Sequence, residues 1–340
     1  MIKEVIGKLV SRQNLTEAES EAAMNETMSG EATPAQIAAF MTALRVKGET
    51  AIELTGCARA MRHHATAVAT RHERVLDTCG TGGDCSGTFN ISTAAAFVVA
   101  GAGVPVAKHG NRSVTSQSGS ADVLEALGVN IDLNPEQMSH CLDSIGISFL
   151  YAPRLHLAMR HAAGPRRELG IRSVFNLLGP LTNPAGARYQ LLGVYAPELT
   201  ELVAETLLNL GTERALVVHS AGMDEMTLAG PTKVTEVQSG NLHTYQVEPE
   251  ALGLDPCPPS ALRGGTAAEN AAIIRALLEG EPGPRRNVVL LNAAGALVAA
   301  GVAENLEEGF YQAAWSIDCG AALAKLDALK KLTRELAACS

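Results

Sequence analysis

Asp77-Thr78-Cys79-Gly80-Thr81-Gly82-Gly83-Asp84, running on to Thr88-Phe89-Asn90-Ile91-Ser92-Thr93, sets the architecture of this chain. Val75-Leu76-Asp77 reads as a short strand, and the Ala-rich run from Ser92 reads as a helix. Three glycines in four positions let the backbone approach a ligand closely and aim N–H groups at it. A helix opening directly after such a loop offers its N-terminus to phosphate. The spacing matches neither the dinucleotide pattern G-x-G-x-x-G nor a P-loop, which ends in G-K-[ST]. Taken alone, the stretch is equally compatible with a plain glycine turn between strand and helix.

Working downstream, a second strand over residues 104–107 runs into Lys108-His109-Gly110-Asn111-Arg112-Ser113-Val114-Thr115-Ser116, and Ser118-Gly119-Ser120-Ala121-Asp122 opens the next helix. Ligands of open α/β sheets bind beyond the carboxyl ends of strands, where both polar loops lie. Two cations and several hydroxyls in an otherwise Ala- and Val-rich stretch suit a polyphosphate. Met223-Asp224-Glu225-Met226 follows an apolar strand over 215–218. Adjacent carboxylates there suit a hard cation such as Mg²⁺, although an isolated Asp-Glu pair is more often a solvated surface. A basic helix, Arg160–Arg172, carries Arg166 and Arg167. One of its arginines could clamp a carboxylate bidentately; a solvated helix face is the plainer reading. The Gly-Pro and Asn-Pro turns in 176–184 read as architecture.

Further apolar segments at 147–151, 191–195, 215–218 and 288–291 alternate with helical stretches such as 201–210. This alternation predicts an α/β domain with a mainly parallel central sheet. Upstream of the glycine loop the pattern is helical. Thr16 with Glu19, Thr33 with Gln36 and Thr50 with Glu53 form three successive capping boxes. Pro34 opens the second of these helices, and Ile37, Phe40, Met41 and Leu44 place one apolar stripe along it. Residues 254–260 and 280–286 read as surface connections, with a helix capped by Thr266 and Glu269 between them.

With 340 residues, the chain is long enough for about two domains, at roughly 150 residues each. Aromatics are only 4%, so the core must be built from Ala, Val, Leu and Ile. A net charge of −9 without a long basic run argues against non-specific binding to nucleic acid or to anionic membrane. Seven scattered cysteines with no C-x-x-C pair fit free thiols in a reduced, cytoplasmic compartment. The start of the chain shows no signal-peptide pattern. The longest apolar run, residues 94–107, falls short of the roughly 20 residues a spanning helix needs.

The Asp77–Asp84 loop, the Asn-Ile-Ser-Thr run, the Lys108–Asp122 stretch and the Asn176–Pro184 stretch together resemble the anthranilate phosphoribosyltransferase family of tryptophan biosynthesis. The resemblance extends from the helical start to near the carboxyl terminus. It implies a nucleoside phosphorylase/phosphoribosyltransferase type of fold, with a small helical domain over 1–72, completed by roughly 167–187. A larger α/β domain would comprise 73–166 and 188–340. It further implies a homodimer joined through the helical domain, Mg²⁺ as cofactor, and transfer of a phosphoribosyl group to anthranilate. Carried over by position, Gly80, Gly83, Asp84, Thr88, Asn90, Ile91, Ser92, Thr93, Lys108, Ser116 and Ser120 would bind phosphoribosyl pyrophosphate (PRPP). Ser92, Asp224 and Glu225 would hold magnesium. Asn111 and Arg166 would bind anthranilate, with Gly80, His109 and His156 lining its approach, and Lys108, Asn111 and Arg166 would carry the catalysis. Two positions depart from the family pattern: Cys85 replaces a common glycine, and Met159 stands where some members have an aromatic residue. The alternatives are a pyrimidine nucleoside phosphorylase and a non-catalytic relative that binds nucleic acid. The second of these should lose the Asp224-Glu225 pair or the Lys108–Asn111 run, and this chain keeps both.

Overall fold

The computed structural model describes residues 1–113 and 117–338. Four helices come first: α1 (Ile2–Val10), α2 (Glu17–Met28), α3 (Pro34–Lys47) and α4 (Ala51–His64). Thr16, Thr33 and Thr50 each accept from the backbone N–H three residues on, while Glu19, Gln36 and Glu53 reach back to the cap. All three capping boxes form as the spacing predicts. Each ties down backbone donors that a helix start otherwise leaves bare. Ile37, Phe40, Met41 and Leu44 are the buried side chains of α3.

The alternating part runs β1 (Leu76–Gly80), α5 (Ile91–Gly101), β2 (Val106–Gly110), α6 (Ser120–Ala126), α7 (Pro135–Ile145) and β3 (Ile147–Tyr151). It then passes through α8 (Ala152–Leu155), α9 (Arg160–Leu169) and α10 (Phe175–Leu178) to β4 (Tyr189–Gly193), α11 (Leu199–Asn209) and β5 (Arg214–Ser220). Strands β6 (Thr232–Gln238) and β7 (Asn241–Val247) precede α12 (Ala267–Leu278), α13 (Pro284–Ala299), α14 (Leu306–Asp318) and α15 (Ala321–Ala338).

These strands form one seven-stranded sheet in the order β3-β2-β1-β4-β5-β6-β7. β1 to β5 pair in parallel, and β6 and β7 add an antiparallel ribbon at one edge. The chain winds outward from β1 to β3, then returns to place β4 on the other side of β1. The β1–β4 boundary is therefore the topological switch point, where the two loops leaving the strand ends diverge and open a crevice.

Three sequence expectations are corrected. The apolar stretch 288–291 lies inside α13, buried on all sides, rather than in a strand. Periodicity cannot separate a fully buried helix from a buried strand. The proposed connection over 280–286 is shorter than expected, because Pro284 begins α13. The basic helix stops at Leu169, where Gly170 takes the left-handed conformation at φ 61° and ends it.

Two hydrophobic clusters fill the molecule. One packs α5, α13, α15 and neighbouring helices against the sheet. The other joins α1–α4 to Ala162, Val174, Phe175, Leu177, Leu178 and Leu181, and reaches under β4 and β5 through Leu192, Val194, Ala215 and Val217. The helical lobe thus shares its core with one part of the sheet. No helix among the described residues is long and apolar enough to cross a membrane.

Candidate active site

The crevice is shaped by two glycines that face each other. Gly80 ends β1 and Gly193 ends β4, and the two are register partners. A Cβ on Gly80 would lie 2.4 Å from Asp224 Oδ2, and one on Gly193 would lie 1.6 Å from the Asp224 carbonyl oxygen. Backbone atoms cannot yield at such distances. Only bare Cα atoms at the switch point let the segment after β5 fold back across the strand ends and deliver Asp224 there. Gly80 was legible within its motif. Gly193 was missed, because a lone glycine at a strand end carries no signal of its own.

Asp224 then organises the glycine loop. Its Oδ2 accepts the Gly82 N–H at 2.7 Å, and its own N–H donates to Asp84 Oδ2 at 3.4 Å. Glu225 Oε1 accepts the N–H of Ser92, in the first turn of α5, at 3.2 Å. Both carboxyl groups of the 224–225 pair are held above the ordinary carboxylate range, chiefly by burial. Asp84 adds to this for Asp224, and Asp224 adds to it for Glu225. The nearby compensating cation is Lys108, only 4% exposed, whose ammonium donates to the Thr78 carbonyl and to Ser92 Oγ at 3.2 Å. Burial lowers the Lys108 pKa, against the pull of Asp77 and the Glu225-Asp224 pair. More negative charge than positive is packed at this spot, which suits a further cation.

The donor set fits Mg²⁺ in one particular way. Among the described residues no three His, Cys, Asp or Glu side chains converge as a metal cage. Two carboxylates and the Ser92 hydroxyl are the protein's share, and Mg²⁺ characteristically keeps waters and substrate phosphate oxygens for the rest.

Other predicted residues group around this centre. Asn90 Nδ2 donates to the Ser118 carbonyl at 3.1 Å, and Asn90 Oδ1 accepts from Asn270 at 2.9 Å. Ser120 Oγ donates to the Asn111 carbonyl at 3.2 Å. Asn111 itself is exposed and accepts the Arg112 N–H at 2.7 Å. Thr88 bonds Ser86 Oγ at 3.2 Å and bridges to Arg263. Two residues turn away from the crevice. Ile91 is a core side chain, and the Thr93 hydroxyl is buried without a partner among the described residues, lining a small cavity with Lys108 and Ser148. Ser116 lies outside the described residues.

A second group lies around the loop that follows α10. His109 Nδ1 donates to the Gly179 carbonyl at 3.2 Å, and His156 makes a backbone hydrogen bond to Thr182. Their rings stand 5.0 Å apart. Burial pushes their pKa values down, to about 3 for His109 and about 4 for His156. Both are neutral at physiological pH, and both Nε2 atoms are buried with no partner among the described residues. These are two bare acceptors fixed in orientation by one turn. Arg166, on α9, is half-buried and lies over the Phe175 ring at 5.2 Å. Burial lowers its pKa, and among the described residues it has no ion-pair partner. A guanidinium held on an aromatic ring without a carboxylate is prepared for an anionic ligand. Met159 packs against the helical-lobe core.

Sequence reading missed the residues that hold these parts in place. Asn183 donates to Asp77 Oδ2 and to the Ala107 carbonyl, both at 2.8 Å, tying β1 to β2. Asn292 accepts the Met226 N–H at 3.0 Å and donates to the Met226 carbonyl at 2.8 Å, clamping the segment after Asp224-Glu225. A signal existed for Asn292: it is the one polar residue inside the apolar run 288–299. For Asn183, reading the Asn-Pro turn as architecture hid a buried side chain.

Comparison with known proteins agrees with this geometry. Residues 72–323 match the family model described as "Glycosyl transferase family, a/b domain", and residues 3–65 match its helical bundle domain. The anthranilate phosphoribosyltransferase of Moorella thermoacetica is 59% identical over 97% of both chains. That of Symbiobacterium thermophilum is 57% identical over 99% of both. Among solved structures, the enzyme from Thermus thermophilus superposes with a TM-score of 0.93 at 44% identity, covering 97% of this chain and 99% of that one. The enzyme from Saccharomyces cerevisiae in complex with PRPP and Mg superposes with a TM-score of 0.89 at 30% identity, covering 98% of each. The chain belongs to the anthranilate phosphoribosyltransferase family.

Proposed function

We infer that this chain transfers the 5-phosphoribosyl group of PRPP to the amino group of anthranilate, releasing pyrophosphate, as a step of tryptophan biosynthesis. The observation that carries the reading is the closure of Asp224 over Gly80 and Gly193. It puts a carboxylate pair beside the glycine-loop amides, where a diphosphate and its cation belong together. Gly80, Gly83, Asp84, Asn90 and Ser92 are the residues proposed to hold the donor, with Ser120 and Thr88 at its margins. Bound with the diphosphate at Asp224, Glu225 and Ser92, Mg²⁺ would neutralise charge on the departing pyrophosphate. Lys108 adds positive potential from beneath Ser92.

The arylamine is neutral at working pH and attacks with its own lone pair. The C1–O bond to pyrophosphate breaks as the N–C1 bond forms, and the proton that the nitrogen sheds passes to solvent water. Charge of the oxocarbenium type builds at C1, as in glycoside hydrolysis. Arg166 is proposed to take the anthranilate carboxylate and Asn111 to flank it, with His109 and His156 lining its approach. With pKa values depressed to about 3 and about 4, these imidazoles stay neutral and do not store the proton. Positioning supplies the main rate gain.

Loss of anthranilate fluorescence that requires protein, PRPP and Mg²⁺ together tests the reading. If a folded sample leaves anthranilate unchanged but cleaves thymidine or uridine with phosphate, the donor site belongs to a phosphorylase. The division into a helical domain (1–72 with 167–187) and an α/β domain (73–166 with 188–340), a cytoplasmic location and a homodimer joined through the helices complete the proposal. Val10 at 71% exposure and Val46 at 68% are uncovered apolar side chains on α1 and α3, which suits the dimer.

A further inference from the structure

The glycine loop is gripped from outside the groups described so far. The Thr81 N–H donates to the Gly193 carbonyl at 2.9 Å, and Thr81 Oγ1 accepts the N–H of Tyr195 at 3.1 Å. Two residues further on, the Gly83 carbonyl accepts a hydrogen bond from the Arg172 guanidinium. Arg172 lies between α9 and α10, and its guanidinium carbon sits 4.4 Å from the centre of the Tyr195 ring. Arg172 therefore holds Gly83 and lies over the ring of the residue that holds Thr81. Among the described residues it makes no ion pair, so its planar donor group rather than a charge partner fixes it.

The loop needs such a hold. Gly82 and Gly83 have φ values of 65° and 74°, and Cys85 follows at 60°. Glycine backbone has little preference of its own, so this shape must be imposed from outside. The amide that donates to Asp224 is that of Gly82, between the two gripped residues.

We propose that Arg172 is a positioning residue for donor binding: through the Gly83 carbonyl and the Tyr195 ring it latches the glycine loop in the shape that receives the diphosphate of PRPP. This rests on the phosphoribosyltransferase reading. The latch also links donor and acceptor sides, because Arg172 follows the end of α9, the helix that carries Arg166.

Two measurements test it. Hydrogen exchange over residues 80–88, with no substrate present, reads the latch directly and does not depend on the reaction. Arg172→Ala should speed exchange there by roughly tenfold while the strands of the sheet stay unchanged. Steady-state kinetics then read its consequence: the KM for PRPP should rise by about tenfold, with that for anthranilate within about twofold. Arg172→Lys should recover little, because an ammonium reaches a carbonyl but does not stack on a ring. Tyr195→Phe should behave as wild type. Tyr195→Leu should reproduce Arg172→Ala, and the double variant should be no worse than either, since the pair acts as one unit. Unchanged exchange with unchanged KM for PRPP in a folded Arg172→Ala protein would overturn the latch, as would full recovery by lysine. A rise confined to anthranilate would move Arg172 to the acceptor site. If the wild type does not turn over anthranilate, the reaction is wrong, and the exchange result still judges the latch.

Discussion

Individual residues carry the sharpest consequences. Arg166 has a ring beneath it and, among the described residues, no carboxylate ion-paired with it. Arg166→Ala should therefore raise the KM for anthranilate by more than about tenfold, with that for PRPP little changed. An equal rise in both would remove its assigned role. Cys85 shows how a sequence oddity acquires a physical reading. The chain holds φ 60° here, a conformation that favours glycine. Cys85→Gly should relieve about 1 kcal/mol of strain, less the entropy that glycine loses on folding. A thermal scan should show a rise of about 2 °C or less, and a fall would show that the sulfur contributes more than its backbone costs.

At the scale of elements, α13 reaches the site through a single side chain. Asn292 is completely buried and clamps Met226 from both its N–H and its carbonyl. Asn292→Leu keeps the branched heavy-atom shape and leaves two backbone groups bare, at roughly 1–3 kcal/mol each. The Asp224-Glu225 segment should loosen, so the Mg²⁺ concentration giving half-maximal rate should rise by several fold, measured by titration at saturating PRPP. An unchanged Mg²⁺ requirement would show that the segment is held by the β5 turn alone. The switch-point glycines belong to the same scale. Gly193→Ala forces a methyl against the Asp224 carbonyl and should destroy most activity, even in protein that still shows a native sheet by circular dichroism.

Across the whole molecule, the buried imidazoles link folding to pH. His109 and His156 are neutral when folded, with pKa values of about 3 and about 4, whereas an unfolded histidine titrates near 6.5. Above pH ~6.5 both states are neutral and the pair has no effect on stability. As pH falls below that value the unfolded chain takes up protons that the folded one refuses. Each histidine's share of the stability should drop by up to ~1.4 kcal/mol per pH unit, down to the folded pKa values, while the raised carboxyls of Asp224 and Glu225 change it in the opposite sense. Urea midpoints between pH 7 and pH 5, compared between wild type and the double variant His109→Asn/His156→Asn, read this share as the difference between the two profiles. The variant should lose less stability, or gain more, as pH falls, and parallel profiles would show that the imidazoles contribute nothing. Much was settled by sequence alone. The capping boxes fixed three helix starts, because each is a local arrangement within four residues. The glycine loop, the Lys108 run and the Asp224-Glu225 pair each announced themselves by composition against an apolar background. Strand edges were found within a few residues, but 288–291 was misread, and the antiparallel ribbon of β6 and β7 was not seen, since its residues alternate without a strong apolar run. Only the tertiary structure brought β4 beside β1. That pairing makes Gly193 a partner of Gly80, lets Asp224 cross both, and sets Arg172 on Tyr195 to hold Gly83. The Arg172–Gly83 and Asp224–Gly82 contacts join residues about 90 and 140 positions apart. No local pattern encodes them, because their energy comes from packing that exists only once the sheet has closed.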